Sequence, residues 1–294
     1  MTKKKKGKRK NQIQRTKGPS SNNPPEKLDP LVVERMFRSL ELNQLDDETR
    51  HKAQELVFEA METDDSLQMA ELVGQALDIN PLCVDAIVML GQLTSESDEE
   101  MLDVLRLAVV AGEEDLGADY FEENRGCFWG LVETRPYMRA RSFLAEMLEQ
   151  TGCPEEAITE YEAMLELNPF DNQGLRYTLL GLYFRTGRIK DAKQLLSKYD
   201  SETMATFAWG RVLVDVVEGN QKRAKRSLAK AQKANEYAAR YLTGEKRLPK
   251  DDPDFYGIGD ENEAICTARI VKPAWEEYPE ALAWLKREKE PTQQ

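Results

Sequence analysis

The chain has 294 residues, 41 Lys and Arg against 53 Asp and Glu, a net charge of −12 and 40% hydrophobic content. That length allows one large or two ordinary domains with a sizeable core, and no stretch approaches the roughly 18 apolar residues that a membrane-spanning helix needs. Four scattered cysteines, Cys83, Cys127, Cys153 and Cys266, form no CxxC pair, which argues against a disulfide framework or a zinc site.

Residues 1–27 hold ten Lys or Arg and one Glu, a net +9, so the remainder carries −21. Ile13 is the one large apolar residue of this arm. It cannot bury enough surface to offset the entropy of ordering, and disorder is predicted. Lys3, Lys4, Lys5, Lys6, Lys8, Arg9 and Lys10 are candidate phosphate contacts, either on RNA or on an anionic membrane surface. No aromatic residue accompanies them, so base stacking is not expected. The alternative is a flexible solubilising tail that folds over its own acidic body. The charged start leads into no apolar stretch, which predicts a soluble, cytoplasmic protein without a secretory leader. An acidic body argues against nonspecific nucleic-acid binding by the body itself.

From Pro30 the pattern Val33, Met36, Phe37 and Leu40 predicts a short amphipathic helix. A second is predicted over 47–62, with Ala53, Leu56, Val57, Ala60 and Met61 on one face, and a third over 67–79, with Leu72, Val73, Ala76 and Leu77. The third ends in Asp78-Ile79-Asn80-Pro81, punctuation that returns at Glu166-Leu167-Asn168-Pro169 and marks an internal repeat. The next helix, 82–93, carries a small-residue contact at Leu90-Gly91. Ser97 and Glu100 then form a capping box for a helix to Ala111. Residues 112–137, acidic at first and then aromatic and Arg-containing, interrupt the period.

Residues 138–169 read as two helices folded back on each other. Leu144, Met147 and Leu148 share a face of the first, and Ala157, Ile158, Tyr161, Met164 and Leu165 form a stripe on the second. Gly152 suits the left-handed turn between them, Pro154 the first helical position, and Glu155 and Glu156 the positive end of the helix. The pair Gly152 and Ala157 returns as Gly187 and Ala192 at an offset of 35, then as Gly219 and Ala224 at 32. Leu179, Leu182, Tyr183, Leu195 and Leu196 supply the apolar positions of one hairpin, and Trp209, Val212, Leu213, Val216, Ala224 and Leu228 those of the next. Each one-sided hairpin can bury its stripe only against its neighbours, which predicts an all-α solenoid with a concave face lined by first helices. Past Thr243, a loop precedes a helix capped by Asp260 and Glu263 and running to Ile270. Pro279 opens a last helix, and Trp275, Tyr278 and Trp284 are expected to cover the end of the stack. The predicted organisation is an arm at 1–27, repeats over 28–244 with an insert at 112–137, and a capping segment over 245–294.

The pattern Leu144, Ala145, Leu148, Gly152, Ala157, Tyr161 and Pro169 resembles a tetratricopeptide repeat, whose period is roughly 34 residues. A narrower likeness rests on Glu123-Asn124-Arg125-Gly126, Trp129-Gly130-Leu131, residues 133–141, Asp171-Asn172-Gln173-Gly174, Arg176-Tyr177 and residues 256–264. These resemble the short soluble forms of the suppressor-of-tumorigenicity-seven family over about 69–285. The resemblance implies a noncatalytic interaction protein of tetratricopeptide-type hairpins, with no catalytic set and no cofactor.

If Ala145, Leu180 and Val212 are equivalent small contacts, then Ser142, Tyr177 and Trp209 face the groove, with Arg139 and Gly174 one turn earlier. Arg139, Ser142, Arg176, Tyr177 and Trp209 are therefore candidate partner-binding residues for a protein or peptide, Arg clamping a carboxylate beside the aromatic rings. The alternative packs Tyr177 and Trp209 between repeats and pairs Arg135, Arg139, Arg141 and Arg176 with the acidic insert. His51, the single histidine, has no nucleophile motif beside it and reads as surface. Gly257-Ile258-Gly259 follows no strand and reads as a turn. Glu113, Glu114, Asp115, Asp119, Glu122 and Glu123 lack the spacing of a calcium loop. The cysteines read as small apolar residues at helix contacts.

Overall fold

The computed structural model describes residues 46–289. The basic arm and the helix expected at 33–40 lie outside the described residues. Two helices open the described chain, α1 (Asp47–Glu62) and α2 (Ser66–Ile79). Asp46 caps α1 by accepting from the Thr49 amide at 2.8 Å, and Asp65 caps α2 from Leu67 and Gln68. The two helices close on Ala53, Val57, Ala60, Val73 and Ala76, all fully buried. Cys83, Ala86 and Met89 join that cluster from the following segment, so the first hairpin shares its core with the second.

The second hairpin is α3 (Val84–Thr94) and α4 (Asp98–Leu116). Ser97 caps α4 by accepting from the Glu100 amide at 3.2 Å, and the Glu100 carboxylate in turn accepts from the Glu96 amide at 2.7 Å. α4 runs five residues past Ala111, so the interruption is shorter than the sequence suggested. Its buried stripe of Leu105, Ala108 and Ala111 extends to Gly112, which packs on Tyr137, and Arg50 of α1 donates to Asp115 Oδ1 at 3.0 Å and to the Asp115 carbonyl at 2.7 Å. The break is filled by α5 (Ala118–Asn124) and a single 3-10 turn at Phe128–Gly130. Phe128 is buried there against Phe121 and Tyr137.

Three further hairpins follow: α6 (Arg135–Gln150) with α7 (Pro154–Leu167), α8 (Leu175–Arg185) with α9 (Ile189–Lys198), and α10 (Ala205–Val217) with α11 (Gln221–Ala234). Their turns carry Gly152, Gly187 and Gly219 at φ +84°, +73° and +73°, the left-handed backbone that the repeated glycine predicts. Each hairpin packs on the next through α2 with α3, α4 with α6, α7 with α8, and α9 with α10. The described residues therefore form an all-α solenoid of tetratricopeptide-type helical hairpins.

The C-terminal segment departs from expectation. After a short α12 (Ala238–Leu242), α13 (Glu261–Glu277) continues seven residues beyond Ile270 and passes through Pro273. An internal proline costs a hydrogen bond, and the burial of Val271, Ala274 and Trp275 around it offsets that cost. α13 packs on α8 and α10, the first helices of two successive hairpins, and α14 (Pro279–Glu288) packs on α13 and α10. The segment thus occupies the inner face of the last two hairpins rather than only closing the end of the stack.

Candidate functional site

With α13 laid on α8 and α10, the first-helix face stays open over α6 and the start of α8. An open pocket of about 760 Å³ lies there. Ser142, Glu146, Glu149 and Gln150 of α6 form one wall, Gln173, Gly174, Leu175 and Thr178 the other, with Tyr161 of α7 and Trp129 of the 3-10 turn completing it. The spacing 142, 146, 149 is one helical stripe. Gly174, at φ +75°, lets the chain enter α8 from its left-handed turn.

The polar lining is rich in acceptors. Glu146 accepts from Ser142 Oγ at 3.3 Å, Glu149 pairs with Arg185, and the buried Oε1 of Gln173 has no donor. Burial pushes the Tyr161 phenol well above its ordinary value, the Glu146 and Glu149 charges add to that rise, and Arg185 opposes it. A hydrogen-bond donor or cation entering this pocket would meet partners; a carboxylate would meet repulsion.

The predicted binding residues are divided by the structure. Ser142 lies in the pocket. Arg139 pairs with the nearly buried Asp85 of α3 and ties two first helices together. Arg176 bonds Asp171 at 2.8 Å and Glu202 at 2.7 Å, and Tyr177 donates to Glu202 at 2.8 Å. Burial, then the bond to Glu202, raises the Tyr177 phenol. Trp209 is fully buried and its Nε1 has no acceptor. It offers no surface to a partner, because α13 covers the face of α10 that carries Thr206, one turn away, whose hydroxyl meets Thr267 at 3.1 Å. The seven cations of the arm, Lys3 to Lys10, lie outside the described residues.

The arginines do pair internally, but their carboxylate partners lie outside the acidic insert; to the insert Arg141 donates only at the Tyr137 hydroxyl, at 2.9 Å. Arg141 reaches Glu160 at 2.6 Å, and Arg135 donates to the Trp129 carbonyl at 3.2 Å. His51 is exposed and 3.2 Å from Glu55. Cys83 is buried, and burial pushes its thiol up to about 11; Cys127, by contrast, is exposed rather than packed. Glu146 and Glu149 could be read from the Ser142 stripe by continuing the helix two turns. Gln173 carried no such signal, since a loop glutamine becomes a pocket wall only through the fold. Among the described residues no His, Cys, Asp and Glu group is gathered to hold a metal, and no helix is long and apolar enough to cross a membrane.

The hairpin stack and its open inner face define the class, a tetratricopeptide-type α-solenoid. Among solved structures the chain is similar to YrrB, described as a TPR protein with an unusual peptide-binding site, at 17% identity over 67% of this chain and 91% of that one, with TM-score 0.42. It is also similar to Pseudomonas aeruginosa PilF, at 17% identity over 68% of this chain and 99% of that one, with TM-score 0.31. No protein-family model and no curated protein matches the chain.

Proposed function

We propose that this protein is a noncatalytic, cytoplasmic adaptor, of the kind that the short soluble suppressor-of-tumorigenicity-seven forms resemble, and that it holds a peptide or protein segment on its first-helix face. The segment enters the pocket between α6 and α8 with a Lys or Arg side chain. One observation carries this reading: Glu146 stands exposed in the lining, with Glu149 one turn on and paired to Arg185, while Arg139, Arg176 and Arg141 are already spent on Asp85, Asp171, Glu202 and Glu160. Such a face selects donors and rejects carboxylates, the reverse of the clamp that Arg139, Tyr177 and Trp209 suggest in the sequence.

Selection of displayed random peptides on the full-length chain tests it. Enriched peptides are expected to carry Lys or Arg, and to be lost from Glu146→Lys and from Thr178→Trp, which fills the pocket. Enrichment that survives both variants, or that favours acidic peptides, overturns the assignment.

A further inference from the structure

The body of the protein is strongly acidic, yet α11 reads QKRAKRSLAKAQKA, with six cations and no carboxylate. At 100° per residue its surface divides cleanly. Ala224, Leu228 and Ala231 are buried in the stack. One flank is used by the C-terminal helix: Gln221 accepts from Trp284 Nε1 at 2.7 Å, Lys225 pairs with Glu288 at 3.0 Å, and Gln232 donates to the Lys289 carbonyl at 3.0 Å. On the other flank Arg223 bonds Asp215 and Glu218, and Ser227 donates to Asp215 at 2.6 Å. Lys222, Arg226, Lys230 and Lys233 occupy the remaining outward arc, about 80° wide. All four are exposed, and among the described residues none meets a carboxylate; Arg226 Nε turns only to the Lys222 carbonyl at 3.4 Å.

This row is not explained by stability. Lys222 stands in the first turn, at the positive end of the helix, and no acidic residue accompanies it there. A cation in that place opposes the helix dipole, and four unpaired cations in one row repel each other at successive turns.

We infer that the row Lys222, Arg226, Lys230 and Lys233 is a docking surface for an acidic helix of a partner protein, distinct from the pocket on the inner face. Charge complementarity selects an anion, and the dimensions select its kind. The eleven rises from Lys222 to Lys233 span about 16 Å; Glu236 stands just after the row, and Glu218 just before it is already met by Arg223 and Lys193. A long polyanion laid along the row would run onto an acidic body within about two Debye lengths, each about 8 Å at physiological salt. A partner helix of three turns with carboxylates at every fourth residue stays inside it. The arc carries no aromatic residue for stacking bases and no apolar residue to enter a bilayer. The surface therefore joins a second protein to the stack, as an adaptor requires.

The test uses the full-length chain and a fluorescent synthetic helix with Glu at every fourth position, followed by anisotropy at low and moderate salt. Binding is expected to weaken as salt rises and to fall by roughly tenfold or more in the triple variant Lys222→Glu, Arg226→Glu, Lys230→Glu. The triple Gln variant, gentler on the helix, should lose most of the same binding with an unchanged circular dichroism spectrum. Lys190→Glu with Lys198→Glu, exposed cations on α9, should leave it within about twofold. Binding that the row variants leave unchanged overturns the inference. So does an RNA oligonucleotide or a phosphatidylserine vesicle that binds more tightly than the peptide and is lost with the same variants.

Discussion

Gly181 of α8 lies against Ile270 of α13 so closely that a β-carbon on it would stand 3.1 Å from Ile270 Cγ2 and 3.2 Å from the Ile270 carbonyl oxygen. The two helices meet through that missing side chain, and a backbone carbonyl cannot rotate away as a side chain can. Gly181→Leu should therefore lever α13 off the inner face. The expected cost is about 1–3 kcal/mol, read in urea unfolding, with faster proteolytic loss of the C-terminal segment. An unchanged midpoint and an equally protected segment would mean that α13 does not pack on α8 in solution.

The other anchor of α13 is Glu263, 2% exposed. Its carboxylate accepts from Ala205 N at 3.0 Å, Asn235 Nδ2 at 3.0 Å and Gly259 N at 2.7 Å, which joins the start of α10, the end of α11 and the loop before α13. Glu263→Ala leaves the buried Ala205 N and the Gly259 N without an acceptor and takes one of two from Asn235 Nδ2, which keeps the Asp260 carbonyl; it should cost about 2–4 kcal/mol. Glu263→Gln keeps one acceptor and should cost less. Equal thermal midpoints for Glu263→Ala and the unmodified chain would contradict the role of this carboxylate.

These two contacts also show where the sequence stops being legible. The hairpins were readable from local records: buried stripes throughout, a left-handed glycine at 152, 187 and 219 in the last three, and a cap at Ser97 in the second. All of that is local chemistry. The docking of α13 is not, since Gly181 and Ile270 are far apart in the chain and nothing near either names the other. The register that offered Tyr177 and Trp209 to a partner could not foresee that Trp209 is fully buried and that Glu202 engages Tyr177. Ser142 remained available because α13 stops short of α6.

Trp209 then separates a core residue from a binding residue. Trp209→Ala opens a large cavity beneath α13 and should cost about 3–5 kcal/mol, whereas Glu146→Lys, on an exposed rim, should change stability by less than about 0.5 kcal/mol. Any peptide held by the pocket is expected to respond in the opposite order: abolished by Glu146→Lys and retained by the folded fraction of Trp209→Phe. Calorimetric titration on both variants checks this, and loss of binding in Trp209→Phe alone would restore Trp209 as a contact residue.

The acid side of the stability curve should report on Glu202. Burial alone would raise its carboxyl, but the Met204 amide at 2.9 Å, Arg176 at 2.7 Å and the Tyr177 hydroxyl at 2.8 Å hold it below the ordinary value. The unfolded chain takes up this proton first as pH falls, at about 4.3. The stabilisation is therefore complete above that pH and is lost as pH falls through the lower folded value. Glu202→Gln should be less stable than the unmodified chain at neutral pH by about 1–2 kcal/mol, and the two should converge as pH falls below the ordinary carboxylate range. Asp46, Glu218, Asp260 and Glu261 are also held low and soften both curves alike, so the difference between variant and parent isolates the network. Parallel curves across that window would place the Arg176 to Glu202 contact outside the folding energetics, and would leave Arg176 free to serve a ligand after all.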